Sequence, residues 1–303
     1  MSIVLIAGGS GLIGSRLSQL LQERGDEVVH LSRRPRPDAL YTTYRWNPGD
    51  AYIDDEAVLR ADYVVNLAGA GIADKPWTNA RKRLIIDSRV DSTQLLLSAF
   101  KRLRHFPKAY LSSAAIGYYG DRGNEWLDES AAPGHGFLPE SCIAWEEAIG
   151  EVAQAGVRTV AVRVGIVLST RGGAMEKMLL PFQFRLGAYF GDGSQWYSWI
   201  HIDDLCRMFI KAMEDEDMQG AYNGVAPHPV TNKELAVAMK NALGKPALTL
   251  PAPALALRLA MGEMADVVLS SARVRSEKIE ATGFEYAFPT LSEALPDLLR
   301  RRV

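Results

Sequence analysis

The sequence predicts an α/β protein, a doubly wound parallel sheet with helices on both faces and a smaller C-terminal cap. Two observations carry this. Strand-like and helix-like runs alternate through the first half of the chain, the pattern of a parallel sheet with right-handed crossovers. The chain also opens on an apolar run, Ser2–Ala7, that passes directly into Gly8-Gly9-Ser10-Gly11-Leu12-Ile13-Gly14 and then into a helical pattern.

The run Ile3-Val4-Leu5-Ile6 reads as a strand buried on both faces. Gly8, Gly11 and Gly14 form a G-x-x-G-x-x-G turn, and Leu12, Ile13, Leu17, Leu20 and Leu21 give Leu12–Arg24 an apolar helical face. Strand, glycine turn and helix in that order build a dinucleotide cradle. The glycines allow the backbone to approach a pyrophosphate, and the helix N-terminus supplies free N–H groups. Glu27–Ser32 follows as a second strand, and Asp62–Ala68 as a buried strand ending at Gly69. A long helix is expected over Asn79–Leu103, a strand over Lys108–Ser113, a helix over Phe137–Ala155 and a strand over Arg158–Val164. From Ser169 to Trp199, Gly-, Pro- and aromatic-rich loops dominate. Helices resume over Asp203–Glu214 and Thr231–Leu243. The latter has a capping box in Thr231 and Glu234 and a stop in Gly244-Lys245-Pro246. Ala252–Leu269 and Leu291–Arg302 read as mostly helical. The expected division is a nucleotide domain over 1–165, rejoined by about 196–215, and a smaller cap over most of 166–303.

Composition narrows the function. The 303 residues are 48% hydrophobic, enough for a sizeable core, and carry a net charge of −2 with no long basic block, which argues against nucleic acid as a partner. Two cysteines, Cys142 and Cys206, make neither a disulfide framework nor a metal cluster and suit a reducing compartment. The first residues lack a basic segment before the apolar run, and Ala252–Leu269 is too short and too charged to span a bilayer. A cytoplasmic protein with no membrane partner is expected. The second strand ends in Ser32-Arg33-Arg34 rather than in the acidic residue that binds a ribose 2′-hydroxyl. Guanidiniums suit a 2′-phosphate, so NADP(H) is expected over NAD(H); arginines simply left in solvent would discriminate little.

Several motifs in order resemble the extended short-chain dehydrogenase/reductase superfamily, a Rossmann-fold group, in its epimerase/dehydratase branch. They are Gly8–Gly14, Asn66-Leu67-Ala68-Gly69, Ser112-Ser113-Ala114-Ala115-Ile116-Gly117-Tyr118-Tyr119-Gly120, Val162-Arg163-Val164-Gly165, Trp199-Ile200-His201-Ile202-Asp203-Asp204-Leu205 and Tyr222-Asn223-Gly224-Val225. Ser32-Arg33, Ser88-Arg89, Trp145-Glu146 and the tail Leu243–Leu299 resemble an atypical subgroup, epimerase family proteins of the YfcH type, with their own C-terminal part over about 243–300. The resemblance implies cofactor contacts from Gly8, Gly11, Leu12, Ile13, Gly14, Ser32, Arg33, Arg34, Leu67, Ala68, Gly69, Arg89, Ser112 and the stretch Arg163–Val167. Arg89 has the alternative of a surface helix position, and Arg163 that of an ion-pair partner for Asp203 or Asp204. Those two aspartates are expected to cap the helix they begin. The resemblance also implies a possible homodimer through the two long helices.

The superfamily's active site needs a Tyr, a Lys four residues later and a nearby Ser. Aligning Glu146 with the family's usual Glu puts Leu138 at the Tyr position and Cys142 at the Lys position, while the Ser position falls on Ala114 or Ala115. No Tyr-x-x-x-Lys occurs elsewhere. Tyr118 and Tyr119 follow the strand that borders the nicotinamide in this fold, so either is a candidate proton donor or a pocket wall. His201 is expected to be structural and Cys142 a small buried hydrophobe. Trp77, Trp126, Trp196, Tyr197 and Trp199 lie in loops and suggest an apolar or aromatic substrate, or packing between the domains. Two functions fit. One is an NADP(H)-dependent oxidoreductase or epimerase-like enzyme with a non-standard proton donor and an unspecified small-molecule substrate. The other is a non-catalytic NADP(H)-binding redox sensor or regulator. The loop-rich cap favours the enzyme.

Overall fold

The computed structural model describes residues 1–244 and 246–301. Lys245, in the expected helix stop, and Arg302, at the end of the expected tail helix, lie outside the described residues. Eight strands form the main sheet: β1 (Ile3–Ala7), β2 (Glu27–Ser32), β3 (Thr42–Asn47), β4 (Tyr52–Ile53), β5 (Tyr63–Asn66), β6 (Ala109–Ala115), β7 (Thr159–Val164) and β8 (Gly220–Gly224). Their order is β8-β7-β6-β5-β1-β2-β3-β4, and only the β3–β4 pair is antiparallel. The winding reverses at β1, between β2 and β5, which opens a crevice at the carboxyl ends of the strands.

The principal helices are α1 (Leu12–Glu23), α2 (Asn79–Leu103), α3 (Phe137–Gln154), α4 (Ile202–Glu214), α5 (Asn232–Leu243) and α6 (Leu291–Arg300). Alternation along β1 splits the core into two layers. Val4 and Ile6 pack with Leu17 and Leu21 of α1 and Phe209 of α4, whereas Leu5 and Ala7 pack with Leu96 and Phe100 of α2 and Trp145 of α3. None of the helices among the described residues is long and apolar enough to cross a membrane.

The expected elements of the first half are present, with additions that include β3, β4, the short helix Asp55–Leu59 and the two-residue strand Trp126–Leu127. β3 reads Thr-Thr-Tyr-Arg-Trp-Asn and fully buries only Trp46. It lies near the sheet edge, where a strand needs little apolar surface. The capping box on α5 is formed as expected. β8 joins the main sheet from within the stretch expected to be mostly cap. The expected tail helix is broken into Ala254–Met261 and Asp266–Leu269 by a turn that begins at Gly262.

Asp203 and Asp204 do not cap α4. That role falls to His201, whose Nδ1 accepts from the Asp203 backbone N–H at 3.1 Å. The freed carboxylates join distant parts of the chain instead. Asp203 accepts from Arg16 of α1 at 2.7 and 3.0 Å and from Arg301, just past α6, at 2.8 Å. Fully buried Asp204 accepts from the backbone N–H groups of Ala287 and Phe288 at 2.9 Å each. His201 stacks on Phe288 at 3.9 Å and pairs with Asp297 at 3.2 Å, so it is structural, as its sequence context suggests.

Two tests follow from this packing. Burial opposes ionisation of Asp203, but the hydrogen bonds and charges of Arg16 and Arg301 prevail and hold its carboxyl at about 2. A depressed folded value means stabilisation that is full above the unfolded value, near 4, and is lost as pH falls toward 2. Asp203→Asn is expected to cost about 1–2 kcal/mol at pH 7, discounted for the partial exposure of both guanidiniums, with the two proteins converging near pH 2 in urea titrations. The second test contrasts two glycines. A Cβ on Gly14 would lie 2.4 Å from the Gly8 carbonyl oxygen, whereas one on Gly150 of α3 meets nothing within 4 Å. Thermal unfolding should show Gly14→Ala destabilised by about 1–3 kcal/mol and Gly150→Ala stabilised by up to about 1 kcal/mol.

Candidate functional site

The crevice is built on a crowded glycine loop. Gly8, at φ 82°, leaves β1 in a conformation that favours glycine, and its Cβ position lies 2.8 Å from the carbonyl carbon and oxygen of Leu67, at the end of β5. The Gly8 carbonyl accepts from Gly11 N–H at 3.0 Å. α1 then begins with Gly11 as N-cap, no side-chain cap and no acidic residue in its first turn. Helix geometry leaves the first N–H groups, those of Leu12 and Ile13, without intrahelical acceptors. This is a cradle that side chains would fill, and it fits a pyrophosphate.

Gly9 is also required, which the motif count missed. A Cβ there would lie 2.4 Å from the ring of His30, on β2. Burial pushes His30 down to about 4, so its imidazole is neutral. Its Nε2 lies 2.7 Å from Ser18 Oγ, and that hydroxyl donates to Gly14 O at 2.7 Å. Ser18 has one proton, so His30 must donate from Nε2. A neutral histidine thus forms the floor of the loop.

At the end of β2, Ser32 Oγ accepts from Arg34 N–H at 3.1 Å. The side chains of Arg33 and Arg34 are exposed and form no ion pair among the described residues. At the end of β5, buried Asn66 orients the next turn. Its Nδ2 donates to Tyr110, Ser92 and Thr93 at 2.9, 3.1 and 3.3 Å, and its Oδ1 accepts from Ala68 N–H at 3.1 Å. This fixes Leu67, Ala68 and Gly69 at the crevice. Arg89 of α2 is not a solvent-facing helix arginine. Its Nη1 donates to Ala70 O and Ile85 O at 3.1 and 2.8 Å, and its guanidinium lies 4.8 Å over the Trp145 ring. No carboxylate pairs with it among the described residues, and burial lowers its pKa.

A 3-10 turn, Ile116–Tyr119, follows β6 and packs onto Leu138 and Cys142, the residues expected from sequence at the superfamily's Tyr and Lys positions. A Cβ on Gly117 would meet Cys142 Sγ at 3.5 Å and Leu138 Cβ at 3.7 Å. Burial, then the Glu146 charge, pushes the Cys142 thiol up to about 12, which makes it inert. Tyr118 is half-buried with the Arg163 guanidinium 3.7 Å over its ring, and its hydroxyl makes no hydrogen bond among the described residues. Tyr119 is the correction. It is fully buried, its hydroxyl donates to Asn223 Oδ1 at 2.7 Å and accepts from Arg163 at 3.0 Å, and burial pushes it up to about 12.

Two further expectations change. Arg163 pairs with neither Asp203 nor Asp204. It makes a two-pronged pair with Glu146 at 2.8 Å on each arm and also donates to the Glu129 carbonyl at 3.3 Å. Its guanidinium is therefore committed inside the protein and is not free to hold a cofactor. Ser112 is fully buried and donates to Ser113 O at 2.9 Å, so its hydroxyl does not reach the crevice. Val167 is half-buried in the strand Ile166–Leu168, packed against the core. Most of the loop aromatics serve packing. Tyr197 and Trp199 are buried and donate to backbone carbonyls, and Trp126 and Trp196 each lie 3.9 Å from the Arg273 guanidinium. Only Trp77 sits beside the start of α3, edge-on to Phe137 at 4.7 Å.

Residues 4–223 match the family model described as NAD dependent epimerase/dehydratase family, and residues 252–298 match a domain of unknown function, DUF1731. The chain is 36% identical over 299 residues to the epimerase family protein SDR39U1 of Mus musculus, covering 98% of this chain and 99% of that protein. It is 35% identical over 295 residues to the epimerase family protein ML0860 of Mycobacterium leprae, covering 97% and 94%. Among solved structures, human epimerase family protein SDR39U1 (isoform 2) with NADPH superposes with a TM-score of 0.88 at 34% identity, over 98% of this chain and 99% of that one. The UDP-N-acetylglucosamine 4-epimerase of Bacillus cereus superposes at 0.79 with 17% identity over 100% and 99%, a likeness of fold alone.

Tyr119→Phe tests the correction made at the turn. Loss of the hydroxyl strands Asn223 Oδ1 and should cost about 1–3 kcal/mol in chemical denaturation, while nucleotide binding stays at the wild-type level.

Proposed function

The chain belongs to the NAD dependent epimerase/dehydratase family, and from that membership we propose that it binds NADP(H) in the glycine-loop crevice. We further propose that it acts as an atypical oxidoreductase or epimerase-like enzyme on a small carbonyl or sugar-like molecule. The observation that carries the catalytic part is the turn at Gly117. That turn carries Tyr118 next to Gly117, whose Cβ position meets Leu138 and Cys142, and the Tyr118 hydroxyl makes no hydrogen bond among the described residues.

Leu12 and Ile13 N–H groups would hold the pyrophosphate, Arg33 and Arg34 the 2′-phosphate, and Leu67, Ala68 and Gly69 would line the adenosine path. Arg89 supports the same reading. A half-buried guanidinium with only carbonyl hydrogen-bond partners and no carboxylate among the described residues has its charge uncompensated, and an anionic or hydroxyl-rich ligand beside Gly69 would complete its coordination. The bound dinucleotide would supply hydride transfer. The protein's own part is to hold the substrate oxygen and deliver a proton. We assign this to Tyr118, and the support is that its ring is held by Arg163, which Glu146 anchors in turn. A second reading, a non-catalytic NADP(H) sensor, is favoured by the alignment that puts Leu138 and Cys142 at the superfamily's Tyr and Lys positions, together with the burial that keeps the Cys142 thiol protonated.

Fluorescence titration should show tight NADPH binding and weak NADH binding, with Arg33→Ala erasing most of the difference. Failure to bind either nucleotide would overturn the cofactor assignment. In a carbonyl-substrate screen with NADPH, Tyr118→Phe should lower turnover by about 10²-fold or more with NADPH affinity unchanged. Turnover equal to wild type would remove Tyr118 as donor. Tight binding without turnover of any substrate would support the sensor.

A further inference from the structure

A cavity of about 370 Å³ opens beside the first turn of α1. Its polar lining includes Ser10, Ser15, Thr170, Arg16, Arg171 and Arg301, and no acidic residue lines it. One wall comes from the end of the chain. Leu298 of α6 lines the cavity, its carbonyl accepts from Thr170 Oγ1 at 3.2 Å, and Arg301 follows directly. The segment matching the domain of unknown function ends at this wall.

The charges here do not cancel. Arg16 and Arg301 share the single carboxylate of Asp203, and Arg301 reaches Asp297 with Nε at 2.8 Å. Arg171 is exposed and forms no ion pair among the described residues. Neither Asp203 nor Asp297 lines the cavity, whose wall holds three arginines and four hydroxyl residues beside unpaired helix N–H groups. Such a lining suits phosphate oxygens, which take two parallel bonds from an arginine.

We propose that the C-terminal segment completes the cofactor's phosphate cradle, with Arg171 and Arg301 as pyrophosphate-binding residues and Arg16 holding Arg301 in place through Asp203. This rests on the NADP(H) reading above. It gives the C-terminal part a role at the nucleotide, as the wall that closes the cradle opposite Arg33. It also separates two kinds of arginine. Arg33 reads the 2′-phosphate and so distinguishes the nucleotides, whereas Arg171 and Arg301 meet phosphates that both nucleotides carry.

The test is titration of the full-length protein and of Arg171→Gln and Arg301→Gln with NADPH and with NADH at several salt concentrations. Each variant is checked by circular dichroism, and Arg171, being exposed, is the change least able to disturb folding. The expected result is affinity weakened by about 10-fold for both nucleotides alike, with a shallower salt dependence and with Arg171→Lys recovering part of it. Wild-type affinity in both variants would overturn the proposal while leaving the cofactor reading intact. Loss for NADPH alone would also overturn it, because it would mark these residues as 2′-phosphate contacts. Inorganic phosphate supplies the remaining arm. If it raises the melting temperature through Arg171 while nucleotide affinity ignores the variants, the cavity is a separate anion site and the proposal fails. No binding of either nucleotide to the wild-type protein would instead sink the NADP(H) reading on which the proposal stands.

Discussion

Everything at the crevice depends on how closely three stretches of backbone meet at Gly8. The end of β1, the start of α1 and the turn after β5 converge there with no room for a methyl group. A Cβ on Gly8 would strike Leu67, and one on Gly14 would strike the Gly8 carbonyl. This contact sets the angle at which α1 leaves the sheet and therefore where its free N–H groups point. His30, held neutral below Gly9, prevents the loop from sinking into the sheet. The cradle is thus a consequence of steric exclusion more than of attraction, and it exists before any nucleotide arrives.

The parallel sheet was legible because β1, β2, β5, β6 and β7 are mainly apolar runs buried on both faces and alternate with helical patterns. β3 was not, because a near-edge strand of Thr, Tyr and Arg satisfies its backbone without an apolar signature. The glycine loop and the arginines after β2 could be read because their chemistry is local. The partners of Arg163 could not. Glu146 lies 17 residues away on a helix face where it reads as a surface charge, while Asp203 and Asp204 are more conspicuous in sequence. Tyr118 and Tyr119 are adjacent and chemically equivalent on paper. Their fates diverge because Asn223 of β8, about a hundred residues on, accepts from only one of them. His30 gave no signal either, since nothing in a sequence shows that a histidine on one strand lies under a glycine that follows another.

Leu138 and Cys142 are apolar, and the turn carrying Gly117 lies against them, so this part of α3 is a packing surface. Positive charge near it comes from two arginines. Arg163 comes from β7 and is balanced by Glu146, and Arg89 comes from α2 and pairs with no carboxylate among the described residues. Both are planar cations held against rings, Tyr118 and Trp145, which leaves them far less freedom of movement than an ammonium on a flexible stem.

The clamp on Asp204 has a consequence for how the protein is made. Its carboxylate is fully buried and its acceptors are filled by amides of residues 287 and 288, which are synthesised more than eighty residues later. Until residues 287 and 288 have left the ribosome, the Asp204 carboxyl has Arg207 of its own helix as a partner but lacks the two amides that seal it in the folded protein. The main sheet can begin to assemble during translation, but the face of α4 that bears Asp204 cannot close. Closure of that face is therefore tied to synthesis of residues 287 and 288, and a nascent chain stalled before them would expose it.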